Sequence, residues 1–173
     1  MLLTNGADPN LASAEGLTPL HAIVKRYYCD GDSLAGLFLK FCDDKNIKLQ
    51  VNARDEHGNT PLHAALETGC SHCVELLMRR GADPSSVNEE GSTPVHIICH
   101  LNGGDEDLLK LFLEINTELN QLVPDQINAR NKLGNTPLHL AVEYRHNSLV
   151  ESLLRNGADP NLAKQTEASS ARR

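Results

Sequence analysis

The chain has 173 residues, of which 40% are hydrophobic and only 3% aromatic, with no Trp. Its net charge of −7 argues against the basic stripe of a nucleic-acid binder. No apolar run is long enough to span a membrane or to act as a secretion signal. The five Cys are an odd number without such a signal, which predicts reduced thiols and a cytoplasmic or nuclear location.

In chain order, the first five residues read as the end of an amphipathic helix, because Met1-Leu-Leu-Thr-Asn aligns with Ser152-Leu-Leu-Arg-Asn. The chain is therefore expected to begin within a repeat. Gly6-Ala-Asp-Pro9 follows, then Thr18-Pro-Leu-His21. Thr before Pro predicts a helix start: the hydroxyl caps an orphan amide, and Pro at the first helical position sacrifices no donor. A wider loop, Cys29-Asp-Gly-Asp-Ser33, precedes a helix carrying Leu34, Leu37, Phe38 and Phe41, with Asp32 or Ser33 as its cap. A second widening is expected over residues 43–50.

Thr60-Pro-Leu-His63 opens the next unit. Its second helix carries Val74, Leu77 and Met78, with Ser71 expected as the cap, and closes on Gly81-Ala-Asp-Pro84. Thr93-Pro-Val-His96 starts a third unit with a loop at Asn102-Gly-Gly-Asp105, a cap at Asp105, and a helix over Leu108, Leu109, Phe112 and Leu113. It too widens, over residues 116–126. Thr136-Pro-Leu-His139 starts the fourth, with Leu149, Leu153 and Leu154 in its second helix and Gly157-Ala-Asp-Pro160 after it. Residues 164–173 are polar and expected to fray.

Thr18 to Thr60 is 42 residues, Thr60 to Thr93 is 33, and Thr93 to Thr136 is 43. The Gly-Ala-Asp-Pro copies recur after 75 and 76 residues, so the larger unit is a pair of repeats. These motifs resemble those of the ankyrin-repeat family, and the resemblance covers nearly all of the chain. The alternation of long and short copies is similar to ankyrin arrays of poxviral host-range proteins and related insect proteins. The resemblance implies an all-α ankyrin-repeat solenoid of helix-turn-helix units with β-hairpin loops. Its parts would be a partial repeat at 1–15, repeats at 16–57, 58–90, 91–133 and 134–166, and a disordered tail at 167–173.

It also implies a non-catalytic protein-binding module, acting as adaptor, scaffold or inhibitor. An alternative is a substrate-targeting piece of a larger ubiquitin-ligase or other enzyme protein. Partner contacts would fall on the concave hairpin and first-helix surface: Glu15, Leu17, Lys25, Arg26, Glu56, His57, Asn59, Glu67, Thr68, Glu89, Glu90, Ser92, His100, Leu101, Lys132, Leu133, Asn135, Glu143 and Tyr144. The acidic middle of this set suits a partner with a basic face, or serves only to solvate the surface. The inserted loops after Tyr28 and Leu101, with the Lys25-Arg26-Tyr27-Tyr28 cluster, offer a second contact region. The chain is expected to act as a monomer with no cofactor, no nucleic acid and no membrane.

Chemical sites are poorly supported. Cys70-Ser-His-Cys73 lacks the second Cys pair that a zinc site needs. His96, Cys99 and His100 share helical spacing, but His96 belongs to the repeat motif. No nucleophile is placed with a base and an orienting acid. In the family, the hairpin Asn after Val or Ile can be hydroxylated, and Asn52 and Asn128 match that position; the same residues also suit a turn.

Overall fold

The computed structural model describes residues 7–26, 34–101, 104–119 and 124–162. It divides into two compact units, residues 1–83 and 84–173. The first holds α1 (Pro19–Arg26), α2 (Leu34–Asp44), α3 (Pro61–Glu67) and α4 (Ser71–Arg79). The second holds α5 (Pro94–His100), α6 (Glu106–Glu118), α7 (Pro124–Ile127), α8 (Pro137–Glu143) and α9 (Asn147–Arg155). All regular elements among the described residues are helices. The short α7 was not foreseen; it lies in the stretch expected to be an open widening.

Each first helix begins as its Thr-Pro dictates. Thr60, Thr93 and Thr136 are extended, and Pro occupies the first turn. The backbone N–H of each motif Thr donates to Nδ1 of its His at 3.2 Å, four times over. The His therefore adds a capping bond that neither Thr nor Pro supplies alone. Second helices end as expected at Gly81 and Gly157, both with positive φ.

In the first unit α1 packs on α2 and α3, α3 on α4, and α2 on α4. In the second α5 packs on α6 and α8, α8 on α9, and α6 on α9. Leu20, Leu39, Leu62, Leu77 and Met78 are enclosed in the first core, and Ile98, Leu108, Phe112, Leu149 and Leu153 in the second. The paucity of aromatics is explained by this geometry: closely paired short helices are filled by Leu, Ile and Ala. Three expectations fail at the edges. Leu34, Leu37 and Leu154, placed on apolar faces by spacing, are exposed. Spacing identifies a helix face without showing whether a neighbour covers it.

The expected β-hairpins are reduced to tight turns, and no strand occurs among the described residues. Each tip is closed by one side chain. Asp55 Oδ1 accepts the amides of His57 and Asn59, Asn88 Oδ1 those of Glu90 and Ser92, and Asn131 Oδ1 those of Leu133 and Asn135. Side-chain acceptors thus replace the ladder that strands would have made.

Successive tips are joined through their backbones. The Glu56 N–H donates to the Glu15 carbonyl and the Lys132 N–H to the Glu90 carbonyl, each at 2.9 Å. Gly16 and Gly91 make this approach possible. Both have φ of +74°, and a Cβ on either would stand 3.0 Å from backbone of the adjoining tip.

Candidate partner-binding surface

The side chains expected to meet a partner separate into three groups. Glu15, Lys25, Glu56, His57, Glu67, Thr68, Glu89, Glu90, His100, Lys132, Leu133, Glu143 and Tyr144 are exposed. Leu17 and Leu101 are half-buried. Asn59 and Asn135 were expected at the surface but are only 8% and 4% exposed, and Ser92 is buried with them. Their backbone explains the correction. Each sits at the base of a tip, donating its amide to the turn residue, while the Asn59 and Asn135 carbonyls accept from His21 and His96. The loop residues Tyr27 to Ser33, together with Asn102 and Gly103, lie outside the described residues, as does the side chain of Arg26.

Lys25 does not stand alone. Its ammonium lies 3.3 Å from Oδ2 of Asp55, whose side chain is almost fully buried. Burial works against the Asp55 charge. The amide bonds from Asn59 and His57 and the Lys25 ammonium outweigh it, holding the carboxyl below the usual carboxylate range. Asp55 thus links the tip to the end of α1, a link that the neutral Asn88 and Asn131 cannot make through charge. No sequence pattern announced it, because Asp and Asn close a turn equally well.

In the second unit the equivalent end of the first helix is aromatic. The rings of His100 and Tyr144 meet edge to face with centroids 5.0 Å apart, and Tyr144 stacks on His146 at 6.0 Å. His146 caps α9 by position without a side-chain capping bond. It packs against Gly104, where a Cβ would lie 2.6 Å from its ring.

Asn52 and Asn128, matched to a hydroxylation position, brace neighbouring loops. Asn52 Nδ2 donates to the Gly81 carbonyl and its Oδ1 accepts the Asp83 amide. Asn128 does the same with Gly157 and Asp159. Asn10 makes a comparable pair with Lys48 and Gln50. An open cleft of about 650 Å³ lies beside the Asn52 brace, lined by residues 48–53, Arg80 and Gly81. Arg80 there is paired with Asp43 at 2.7 Å.

The Cys and His clusters are absorbed by the fold. Cys70, not the expected Ser71, caps α4, its sulfur accepting the Cys73 amide at 3.3 Å. Cys70 is disulfide-bonded, against the expectation of reduced thiols throughout. Cys42, Cys73 and Cys99 are free and buried. Burial raises all three thiols, that of Cys99 to about 12, so a thiolate is strongly disfavoured there. His96 and Cys99 are enclosed while His100 is exposed, so the three do not converge. Among the described residues no group of three His, Cys, Asp or Glu is placed to hold a metal ion, and no helix is long and apolar enough to cross a membrane.

The family model described as ankyrin repeats (3 copies) matches residues 1–88 and 71–164. The chain is similar to transient receptor potential cation channel subfamily A member 1. It is 29% identical to the Homo sapiens protein over 157 residues, which is 91% of this chain and 13% of that protein. Against the Drosophila melanogaster protein it is 36% identical over 157 residues, 90% of this chain and 12% of that protein. A putative ankyrin repeat protein of fowlpox virus is 29% identical over 130 residues, 74% of this chain and 21% of that protein. The chain thus spans a small part of each of these relatives.

Proposed function

The chain belongs to the ankyrin-repeat family, and from that premise we propose that it is a non-catalytic binding module whose hairpin tips and first-helix ends grip a partner protein with a basic face. Ankyrin repeats are generally protein–protein interaction modules, and this chain is an all-α member. The channel activity in the metazoan relatives' name belongs to those proteins.

One observation carries the reading: the tips are pinned in their backbone while their side chains stand free in solvent. Asp55, Asn88 and Asn131 each hold two tip amides, and Glu56, His57, Glu89, Glu90, Lys132 and Leu133 project beside them. Fixed backbone lowers the ordering cost of binding, and exposed side chains set the specificity. Within the first unit Glu15, Glu56 and Glu67, and separately within the second Glu89 and Glu90, favour a positively charged partner and speed its approach.

The test is affinity capture with the chain and with a Glu56→Lys, Glu89→Lys, Glu90→Lys variant of matched helicity. Basic proteins held by the former and lost by the latter, with retention falling as salt rises, support the reading. Capture that ignores both the charge reversal and salt overturns it.

A further inference from the structure

In the first unit Leu49 is placed like a strand residue with one edge unoccupied. Residues 47–50 alternate in burial, Ile47 and Leu49 half-buried against exposed Lys48 and Gln50, which is the period of extended chain. Asn10 holds one edge of this segment. Its Nδ2 donates to the Lys48 carbonyl at 3.0 Å, and its Oδ1 accepts the Gln50 N–H at 2.9 Å. A trans peptide points its N–H and its C=O in opposite directions. The peptide from Lys48 to Leu49 therefore turns the Leu49 N–H away from Asn10, and the peptide from Leu49 to Gln50 turns the Leu49 C=O the same way. Neither group meets a hydrogen-bond partner among the described residues. A donor and an acceptor on one residue, aimed at one edge, are what an antiparallel neighbour engages with a pair of bonds.

The open cleft of about 650 Å³ runs along this segment, lined by residues 48–53, Arg80 and Gly81 and not by Asn10. Its basic side chains stand out in a chain of net charge −7. Lys48 is exposed and has no ion pair among the described residues. Arg80 meets Asp43 through Nη2 alone, which leaves other guanidinium N–H groups open. Asp43 is 61% exposed, so that pair is easily exchanged. The second unit lacks these features. Its matching segment is helical, in α7, and Pro124, Thr117 and Asn156 stand at the positions of Lys48, Asp43 and Arg80.

We propose that this cleft binds an extended acidic segment of a partner protein, added antiparallel at Leu49, with a side-chain carboxylate displacing Asp43 from Arg80. Main-chain bonds give such a site its affinity, and Arg80 and Lys48 select the charge. Asp43 is then a built-in competitor that keeps the site weak for segments without a carboxylate. The site uses other residues than the hairpin tips and the opposite charge, so either reading can fail without the other.

The test is an amide-resolved NMR titration of the full chain with a capped peptide of alternating Asp and Val, which has no free terminus. The expected shifts gather at residues 48–53 and at Arg80 and Gly81. Arg80→Gln should weaken binding about fivefold or more. Asp43→Asn, at an exposed position, should tighten it about two- to threefold by releasing Arg80. A peptide of the same sequence with its backbone amides methylated should not bind, because the bond to the Leu49 carbonyl is lost. The proposal is overturned by a Lys–Val peptide that shifts the same amides as strongly, by binding indifferent to both Arg80→Gln and Asp43→Asn, or by no shift in this cleft at any soluble concentration.

Discussion

The imidazole of His21 donates from Nε2 to the carbonyl of Asn59, 3.0 Å away and 38 residues further along the chain. Its Nδ1 accepts the Thr18 amide, so the ring is the neutral tautomer with its proton on Nε2. His96 repeats the arrangement between Thr93 and the carbonyl of Asn135. One uncharged ring thus caps its own helix and ties that repeat to the next tip. His96→Leu removes both bonds and leaves a buried carbonyl and a buried amide unmet. The expected cost is about 2–4 kcal/mol, read as a lower urea midpoint at unchanged slope.

Acidification should act through the same rings. Burial lowers the pKa of His21 and of His96 below 6.5, their ordinary value, despite the bonds to Asn59 and Asn135. The unfolded chain therefore binds protons that the folded chain refuses. Stability is full above pH 6.5 and falls as pH drops below it, levelling once the folded rings themselves titrate. Asp55 works in a lower window: its depressed pKa stabilises the fold above the ordinary carboxylate range and is lost as pH falls through the folded value. Urea midpoints taken at pH 7.5 and 5.5 should fall between the two, and His96→Leu should reduce that difference. A midpoint that rises on acidification would contradict the assignment.

The repeat was legible because its motif residues perform local tasks that carry their own signature: Thr, Pro and His at each helix start, Gly at each end. The nonlocal facts were less visible. Asn59 and Asn135 read as exposed polar residues, yet their position at the base of a tip buries them. Leu154 read as core by spacing, yet what covers a helix face is decided by the neighbouring helix pair. The His100–Tyr144–His146 contact joins residues more than forty positions apart across two repeats, and a single sequence contains no signal for it.

Gly91→Ala should cost more than Gly81→Ala. Both positions have positive φ, so each carries the left-handed penalty of about 1–2 kcal/mol. Only at Gly91 would the added carbon meet another tip, 3.0 Å from the Lys132 amide nitrogen. At Gly81 nothing lies within 4 Å. The difference between the two thermal midpoints isolates the cost of pushing adjoining tips apart. Equal losses would show that the contact yields freely.

Asp55→Asn and Asp55→Ala separate charge from turn closure. Asn preserves the acceptor for the His57 and Asn59 amides, as Asn88 and Asn131 do in their own tips. It loses only the ion pair to Lys25, whose side chain is 35% exposed. A loss of about 1 kcal/mol or less is expected for Asn and roughly 2–3 kcal/mol for Ala, which leaves two amides without their acceptor. Equilibrium unfolding of the two variants at pH 7 distinguishes the contributions. A loss for Asn as large as that for Ala would place the importance of Asp55 in its charge.

Asn52 and Asn128 should be costly to truncate and slow to modify. Each spends its amide nitrogen on one carbonyl and its amide oxygen on one N–H of the following loop. Replacement by Ala should therefore cost about 1–2 kcal/mol at either site. The match of both residues to a hydroxylation position adds a kinetic expectation. An enzyme that must hold the Asn in an extended segment can act only after the loop opens, so its rate should follow the open population. Incubation with an Asn hydroxylase should add one oxygen per site, faster in the destabilised Gly91→Ala chain than in the parent for Asn128, which shares its unit. Intact mass read over time checks both points. No added oxygen even in the destabilised chain would leave these residues as braces alone.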